Sequence, residues 1–486
     1  MPNGFMVDLM GSTVSGAQVN PIVRVAFGPD GSVSWYQGRE GFAGPRWLPV
    51  ASSGGPSVGK WSTVDIATTT DMDMAYVSVN GSYLGTAGVW SVNPATRIGG
   101  FRLSGVGTSV TGDTISFGSP GLFPAISQRP APVSAEYGFG HVTTIAASGG
   151  AAAIPYQMPT AVVRAPLATG GYRLIADYPM HTDSGVTTGN EMVTSVNHGK
   201  TWRLVTNNPL PDIPGLNLTR LADGTLLATG YHTYAQLDGQ QVPSNEAVAV
   251  SAISTDAGTT WSSPRYGTVT NSDAFDEYPC EVASGCQKLL FVHSAIEADG
   301  RLYQSAYGQN ANDPQGSLRQ YVLVSADNGQ NWFVRSSLTS ASFAQGFAEG
   351  ALAWAPDGGM IVVMRTGSYS PMYIARSGDR GATWSAPELL SDAGGEPIMS
   401  IYPNLARLDD GSLLLMTGRP GMSLTRSTDG GRTWSRSRAI DYTNSGNGSM
   451  TDLGNNTVLV LGDRGADWSG PANPGVWCRQ ITVFGN

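Results

Sequence analysis

The sequence is poor in charged side chains and contains no long apolar run. Charged residues make up 13% of the 486, and the 28 lysines and arginines form no basic cluster. Together with a net charge of −9, this distribution argues against nucleic-acid binding. No stretch approaches the run of about 18 apolar residues that a membrane-spanning helix needs. We therefore expect neither a nucleic-acid partner nor a membrane span.

Cysteine is also scarce, with three residues at positions 280, 286 and 478, too few for a disulfide framework. Cys280 and Cys286 could pair within one hairpin or remain free buried thiols. The first residues, Met1 to Phe5, lack the basic and apolar segments of a signal peptide, so we expect none. The protein is then expected to stay in the cytoplasm or to leave the cell by another route, for example on the surface of a virus particle.

What the sequence does contain is a repeated turn with the pattern S-x-[DN]-x-G-x-x-W. The Asp or Asn can accept backbone N–H groups, the Gly permits a positive φ, and the Trp can be buried against a neighbouring sheet. Each copy predicts a structural hairpin turn that fastens one repeat to the next. The five copies span Ser195–Trp202, Ser254–Trp261, Ser325–Trp332, Ser377–Trp384 and Ser427–Trp434. Such regular recurrence is typical of repeat architectures.

A second signature, a Gly, Asp or Asn turn followed by an apolar strand, precedes each of the five tryptophan turns, and a sixth copy has no proper tryptophan turn after it. The six copies begin near Gly170, Asp223, Asp299, Asp357, Asp410 and Asn455. Units of about 56 residues suffice for four-stranded blades, so the pattern predicts a six-bladed β-propeller. A closed ring needs strands from both chain ends in one blade. We expect 141–145 and 476–483 to be neighbouring strands there.

The N-terminal part differs in composition from the repeats. Residues 1–117 contain strand patterns at 22–27 and 74–79 and predict one or two small β-sandwich modules for attachment, oligomerisation or accessory binding. Residues 118–135 hold four prolines and predict a linker. The propeller is expected over 136–486. The fold class is therefore all-β, with a propeller preceded by β-sandwich modules.

The repeated turn on six blades resembles the sialidase (neuraminidase) superfamily, in which it is called the Asp-box or BNR repeat. The resemblance covers about residues 140–486 and implies a six-bladed propeller with a glycosidase site at one mouth of its channel. Family members carry a Tyr/Phe-Arg-Ile-Pro motif whose Arg grips a substrate carboxylate. Here the motif is Tyr156-Gln157-Met158-Pro159. Gln157 can donate a hydrogen bond but cannot form a bidentate ion pair.

Other family positions are partly kept. The resemblance implies that Asp183 is the acid/base residue, Glu349 the glutamate that activates the nucleophile, and Arg365 the second carboxylate-binding arginine. Arg419 lies close to the expected place of the third arginine. Met450 stands where the family has its nucleophilic Tyr, and a thioether cannot replace it. Tyr442 could reach the site only if its loop folds back, so standard sialic acid hydrolysis is not supported.

The residues that follow the second strand of each blade are expected to line the mouth. They are His181 and Asp183, Tyr231 and His232, Tyr307, Arg365, Arg419, and Asp463 with Arg464. Arginines 365, 419 and 464 predict a site for an acidic sugar or another anion, although Asp463 and Arg464 could simply pair with each other.

The aromatic residues of the mouth leave two interpretations open. Tyr231, Tyr307 and Tyr402 could stack on sugar rings or belong to the core. His232 could be a base, as in polysaccharide lyases, or a structural group.

We therefore predict a carbohydrate-engaging, sialidase-like propeller that acts as a divergent glycoside hydrolase on acidic glycans, with Asp183 and Glu349 as its carboxylates. A lyase is a weaker alternative. A non-catalytic glycan-binding or receptor-binding protein, such as a phage tail or surface spike, is the main one, and a purely structural propeller is the third. The N-terminal region could then support a homo-oligomer or virion assembly. No cofactor is expected, and Asp71-Met-Asp73 is too sparse to indicate a metal site.

Overall fold

The structure is a computed structural model of the chain. It describes residues 4–12, 18–28, 30–37, 46–51, 53–56, 62, 64–68, 74–80, 82–88, 97–106, 137–147, 161–179, 190–210, 213, 215–276, 287–314, 317–343, 345–367, 370–393, 395, 397–398, 400–418, 422–441, 447–463 and 475–484. Every regular element in these ranges is a β-strand. A search of the same ranges for a helix that could cross a membrane finds none. The chain forms two compact units, one mainly from residues 1–136 and one mainly from 137–483.

The first unit is a β-sandwich. Its strands are β1 (Gly4–Ser12), β2 (Gln18–Phe27), β3 (Val33–Gln37), β4 (Arg46–Ala51), β5 (Val64–Thr68), β6 (Met74–Val79), β7 (Ser82–Gly88) and β8 (Arg97–Val106). A five-stranded sheet in the order β4-β3-β2-β1-β8 and a three-stranded sheet in the order β5-β6-β7 share one apolar core. Phe27 and Trp35 from the larger sheet meet Val77 and Val79 from the smaller one. The strands predicted at 22–27 and 74–79 are confirmed as parts of β2 and β6. The linker predicted at 118–135 lies outside the described residues.

The second unit contains all the remaining strands but one short edge strand. They are β9 (Tyr137–Ala147), β10 (Ala161–Pro166), β11 (Tyr172–Pro179), β12 (Asn190–Ser195), β13 (Arg203–Leu204), β14 (Leu216–Arg220), β15 (Leu226–Gly230), β16 (His232–Tyr234), β17 (Gln236–Leu237), β18 (Gln240–Gln241), β19 (Glu246–Ser254), β20 (Arg265–Thr270), β21 (Gln287–Ala298), β22 (Arg301–Gly308), β23 (Arg319–Ser325), β24 (Trp332–Leu338), β25 (Ala348–Trp354), β26 (Met360–Arg365), β27 (Tyr373–Ser377), β28 (Glu388–Leu389), β29 (Asn404–Arg407), β30 (Leu413–Thr417), β31 (Met422–Ser427), β33 (Gly448–Gly454), β34 (Thr457–Asp463) and β35 (Gly475–Val483). The edge strand β32 (Arg438–Asp441) completes the sheet of β29, β30 and β31.

These strands form six blades around a closed ring. Blades 1 to 5 are β10-β11-β12-β13, β14-β15-β19-β20, β21-β22-β23-β24, β25-β26-β27-β28 and β29-β30-β31-β32. Blade 6 is β33-β34-β35-β9, so the first strand of the unit is the outermost strand of its last blade. Each innermost strand contacts the next one around the ring, including β33 with β10. The predicted six-bladed propeller and its closure by both chain ends are confirmed.

The second strand of each blade is largely buried because the neighbouring blades cover both of its faces, although β22 of blade 3 carries the buried polar residues Gln304 and Ser305. In β15 and β30 every residue is buried. Alternation of polar and apolar residues appears only where one face of a strand is exposed. The interior is therefore a series of apolar layers between blades, with all second strands ending at the same side of the ring.

Each tryptophan turn links the third and fourth strands of a blade and is tied by its own side chains. In blade 2 the Ser254 hydroxyl accepts the Gly258 N–H at 2.9 Å, and Asp256 accepts the Thr260 N–H at 2.8 Å. Gly258 has φ +77°, a conformation that favours glycine. Blade 1 has Asn197 at the Asp position, and its side chain makes the equivalent bond to the Thr201 N–H at 3.0 Å.

The turns fasten each blade to the preceding blade, not to the following one as predicted. A Cβ added at Gly258 would lie 2.1 Å from Ile175 in blade 1, and one at Gly329 would lie 2.5 Å from Leu227 in blade 2. The turn of blade 1 closes the ring, since Gly199 packs against Leu459 of blade 6. The physical reason is the missing Cβ, which leaves room for an apolar side chain from the blade before.

We predict that Trp332→Ala destabilises the propeller by about 3–5 kcal/mol, because Trp332 is fully buried and packs edge-on against Phe291 at 5.7 Å. Trp261→Ala is the matched control, since the same turn position in blade 2 is only partly buried. Urea unfolding followed by circular dichroism should show the larger loss for Trp332→Ala. Equal losses for the two variants would contradict this ranking.

Candidate functional site

The first two strands of blade 4 bring two of the predicted site residues together. In blade 4, β25 begins where the antiparallel strand β26 ends, and Ala348 pairs with Arg365. This pairing brings the carboxylate of Glu349 to the guanidinium of Arg365, with Oε1 and Nη1 2.5 Å apart. The second carboxylate oxygen accepts the backbone N–H of Tyr402 from blade 5 at 3.0 Å. Two of the predicted site residues therefore lie in direct contact.

The Glu349 segment is held in an unusual backbone conformation. Glu349 has φ +47° and lies at a bulge in the pairing of β25 with β26. Blade 3 fixes the next residue from both sides, because Gly350 donates its N–H to Gln320 at 2.7 Å and its carbonyl accepts the Ser305 hydroxyl. A left-handed non-glycine residue costs about 1–3 kcal/mol and clusters at functional sites when the surroundings enforce it. Glu349 meets that description.

Tyr231 and Tyr307 belong to a buried apolar cluster. Their hydroxyls are 2.9 Å apart, and the two residues are 7% and 8% exposed. They share an apolar cluster with Ile401 and Tyr402 of blade 5. The ring of His232 lies edge-on to that of Tyr231 at 4.9 Å. The burial of Tyr231, Tyr307 and Tyr402 in this cluster favours the second interpretation given above, in which the tyrosines belong to the core.

Several predicted site residues lie outside the described residues. They are Gln157, His181, Asp183, Arg419, Arg464 and Tyr442, together with Cys280 and Cys286. Met450 lies on β33 and is 7% exposed. Of the three arginines predicted to bind an anion, Arg365 has its charge engaged by a carboxylate of the protein itself.

His293 was not anticipated from the sequence. It lies within β21 at a break in the strand register, with φ +63°, and its Nδ1 is 3.2 Å from Asn404 Nδ2 in blade 5. Its ring centroid is 4.4 Å from that of Tyr402. Burial lowers the pKa of His293 to about 3, against a smaller opposing effect of the Glu349 backbone. The apolar run that ends at His293 gave no signal of the bulge.

Asp177 is a second unanticipated residue at the mouth end of a second strand. It is 1% exposed on β11, and Asn190 Nδ2 donates to its Oδ2 at 2.5 Å. Burial outweighs the hydrogen bonds from the Asn190 side chain and the Leu216 backbone and raises the pKa of Asp177 to about 8. An acidic residue that ends the apolar run Leu174 to Ala176 was the available signal.

The ring of six four-stranded blades defines the class of this unit as a β-propeller. Residues 231–457 match the model of the BNR repeat-like domain. The match covers slightly under half of the chain, so residues 231–457 resemble the BNR repeat-like domain, and the second unit has the fold of a six-bladed β-propeller.

Comparison with solved structures finds the same kind of fold at low sequence identity. A protein of unknown function from Dyadobacter fermentans is 18% identical with a TM-score of 0.53, over 72% of this chain and 100% of that one. A Hadza microbial sialidase is 16% identical with a TM-score of 0.48, over 68% and 66%. An α-L-arabinofuranosidase from Fusarium graminearum is 13% identical with a TM-score of 0.49, over 70% and 98%. No curated protein sequence matches the chain.

Proposed function

We propose that the propeller binds a glycan at this mouth and hydrolyses a glycosidic bond there, with Glu349 as a catalytic carboxylate. The observation that carries the proposal is that the carboxylate of Glu349 is held in one orientation. Its two oxygens each accept one hydrogen bond, from Arg365 and from the Tyr402 backbone. A carboxylate held in one orientation suits attack on, or activation of water towards, an anomeric carbon.

Asp183 is the proposed partner acid, on the strength of the resemblance. The separation of the two carboxyl groups sets the stereochemical outcome, about 5–5.5 Å for retention and 6.5–9.5 Å for inversion. Since Met450 replaces the family's nucleophilic tyrosine, a retaining reaction would need Glu349 itself to form the covalent intermediate. Proton NMR of the first-formed anomer distinguishes the two courses.

The proposed substrate is an acidic glycan, and its recognition would depend on Arg419 and Arg464 in addition to Arg365. The ion pair of Arg365 with Glu349 leaves this first arginine electrically balanced. A substrate panel should therefore contain sialosides, acidic polysaccharides and neutral arabino-oligosaccharides. Release of reducing ends, without unsaturated products, indicates hydrolysis and not a lyase reaction.

The expected result is that Glu349→Gln lowers kcat by about 10²–10⁴-fold on the substrate that the wild-type protein cleaves. Glu388→Gln is the matched control, because Glu388 also pairs with an arginine, Arg376 at 2.9 Å, but is 66% exposed on an outer strand. Its turnover should equal that of the wild type. Undiminished turnover in Glu349→Gln would refute the assignment.

A non-catalytic glycan-binding protein is the second candidate. Met450 favours it, because a buried thioether at the nucleophile position cannot form the family's covalent adduct. Saturable binding on a glycan array, with no turnover of any bound glycan, would support this candidate over the hydrolase.

A further inference from the structure

Three residues around the candidate site share a backbone conformation that side chains rarely adopt. His293, Glu349 and Tyr402 have φ values of +63°, +47° and +45°. His293 and Glu349 lie inside strands, and Tyr402 lies two residues before β29. The other non-glycine residues with positive φ in the described ranges, Tyr402 among them, lie in turns and bends, so His293 and Glu349 differ from them by lying inside strands. Three successive blades therefore each contribute one residue with a left-handed backbone to the surroundings of Glu349.

The three residues, from blades 3, 4 and 5, contact one another in series. The centroid of the His293 ring in blade 3 lies 4.4 Å from that of the Tyr402 ring in blade 5, with an interplanar angle of 60°. The backbone N–H of Tyr402 then donates to Glu349 Oε2 at 3.0 Å. The backbone of His293 is itself fixed, because its carbonyl accepts Gln304 Nε2 at 3.0 Å. A shift of the imidazole would therefore reach the carboxylate through Tyr402.

The protonation state of His293 suits a fixed structural ring. Burial lowers its pKa to about 3, so the ring is neutral at every pH at which the protein would work. Asn404 Nδ2 can only donate, so His293 Nδ1 accepts and the ring proton lies on Nε2. The imidazole therefore carries no proton to or from a substrate near neutral pH.

We propose that His293 is a positioning residue that fixes Tyr402, whose backbone N–H in turn orients the Glu349 carboxylate. The importance of this orientation for turnover rests on the proposed hydrolase function. The contact itself does not, because the Tyr402 N–H can be observed without any substrate. No assignment from the family resemblance includes His293.

His293→Asn tests the proposal with little disturbance of the backbone, because asparagine tolerates positive φ better than most residues. His198→Asn is the matched control, since His198 has the same φ of +63° but lies in the tryptophan turn of blade 1. Hydrogen exchange of peptides containing Tyr402 is measured by mass spectrometry in both variants. We expect at least tenfold faster exchange of the Tyr402 amide in His293→Asn and wild-type exchange in His198→Asn.

Steady-state kinetics of the same variants distinguish a positioning role of His293 from a general loosening of the packing. We expect His293→Asn to lower kcat about tenfold or more, with KM within twofold of wild type and no new inflection in the pH profile. Unchanged exchange at Tyr402 would overturn the proposal, and so would faster exchange with wild-type kcat. A wild-type protein that cleaves no glycan would overturn the hydrolase function instead, and the exchange measurement would then decide the role of His293 alone.

Discussion

Arg365→Ala is expected to lower the free energy of unfolding of the propeller by about 3–5 kcal/mol, because it leaves the Glu349 carboxylate buried without its counter-ion. The side chains of Arg365 and Glu349 are only 14% and 10% exposed, so solvent cannot replace the lost partner. Adding Glu349→Gln to Arg365→Ala should recover part of the loss, since it removes the uncompensated charge. Thermal and urea unfolding of the single and double variants measure both effects.

The control for this prediction is an exposed ion pair. Arg432 and Asp357 are 3.0 Å apart, but their side chains are 62% and 51% exposed. Arg432→Ala should therefore change stability by no more than about 1 kcal/mol. A loss for Arg365→Ala as small as that for Arg432→Ala would show that water or another group compensates Glu349. Arg365 would then be available as a clamp for a substrate anion.

The repeat turns show why so much of the fold could be predicted from the sequence. Ser254, Asp256 and Gly258 bond within one turn, so their spacing alone specifies the local structure. Five such turns and six strand patterns at a regular spacing leave a closed ring as the arrangement that covers every sheet face. The direction of fastening could not be predicted, because it depends on which blade fills the space beside Gly258.

Less of the candidate site than of the fold could be predicted from the sequence, and the physical reason is different. Glu349 and Arg365 meet because of strand pairing, which sequence order can suggest. Their ion pair could not be foreseen, since it depends on the left-handed backbone of Glu349 and on Tyr402 from another blade. His293 lies at a bulge in an apolar strand, and a bulge has no fixed sequence pattern. Local rules predict turns and strands, whereas contacts across blades come from the assembled ring.

Asp177→Asn is expected to stabilise the protein at pH 7–8 and to remove a falling limb from its pH–stability curve. The unfolded chain loses the Asp177 proton near pH 4, whereas burial in the fold keeps it up to about pH 8. Between these values the folded state binds more protons, so stability falls as pH rises, by about 1.4 kcal/mol per unit. Asparagine has the same shape, keeps an acceptor for Asn190 and never has to ionise.

In the same assay, Asp256→Asn is expected to change the pH dependence of stability on the acid side instead of between pH 4 and 8. The hydrogen bonds from Thr260, its side chain first, lower the pKa of Asp256 to about 2. Its contribution is therefore present above about pH 4 and is lost as the pH falls towards 2, so Asp256→Asn should flatten the acid limb alone. Asn197 in blade 1 shows that the turn accepts an amide. A pH–stability curve for Asp177→Asn that runs parallel to that of the wild type from pH 4 to 8 would mean that Asp177 is already ionised in the folded protein.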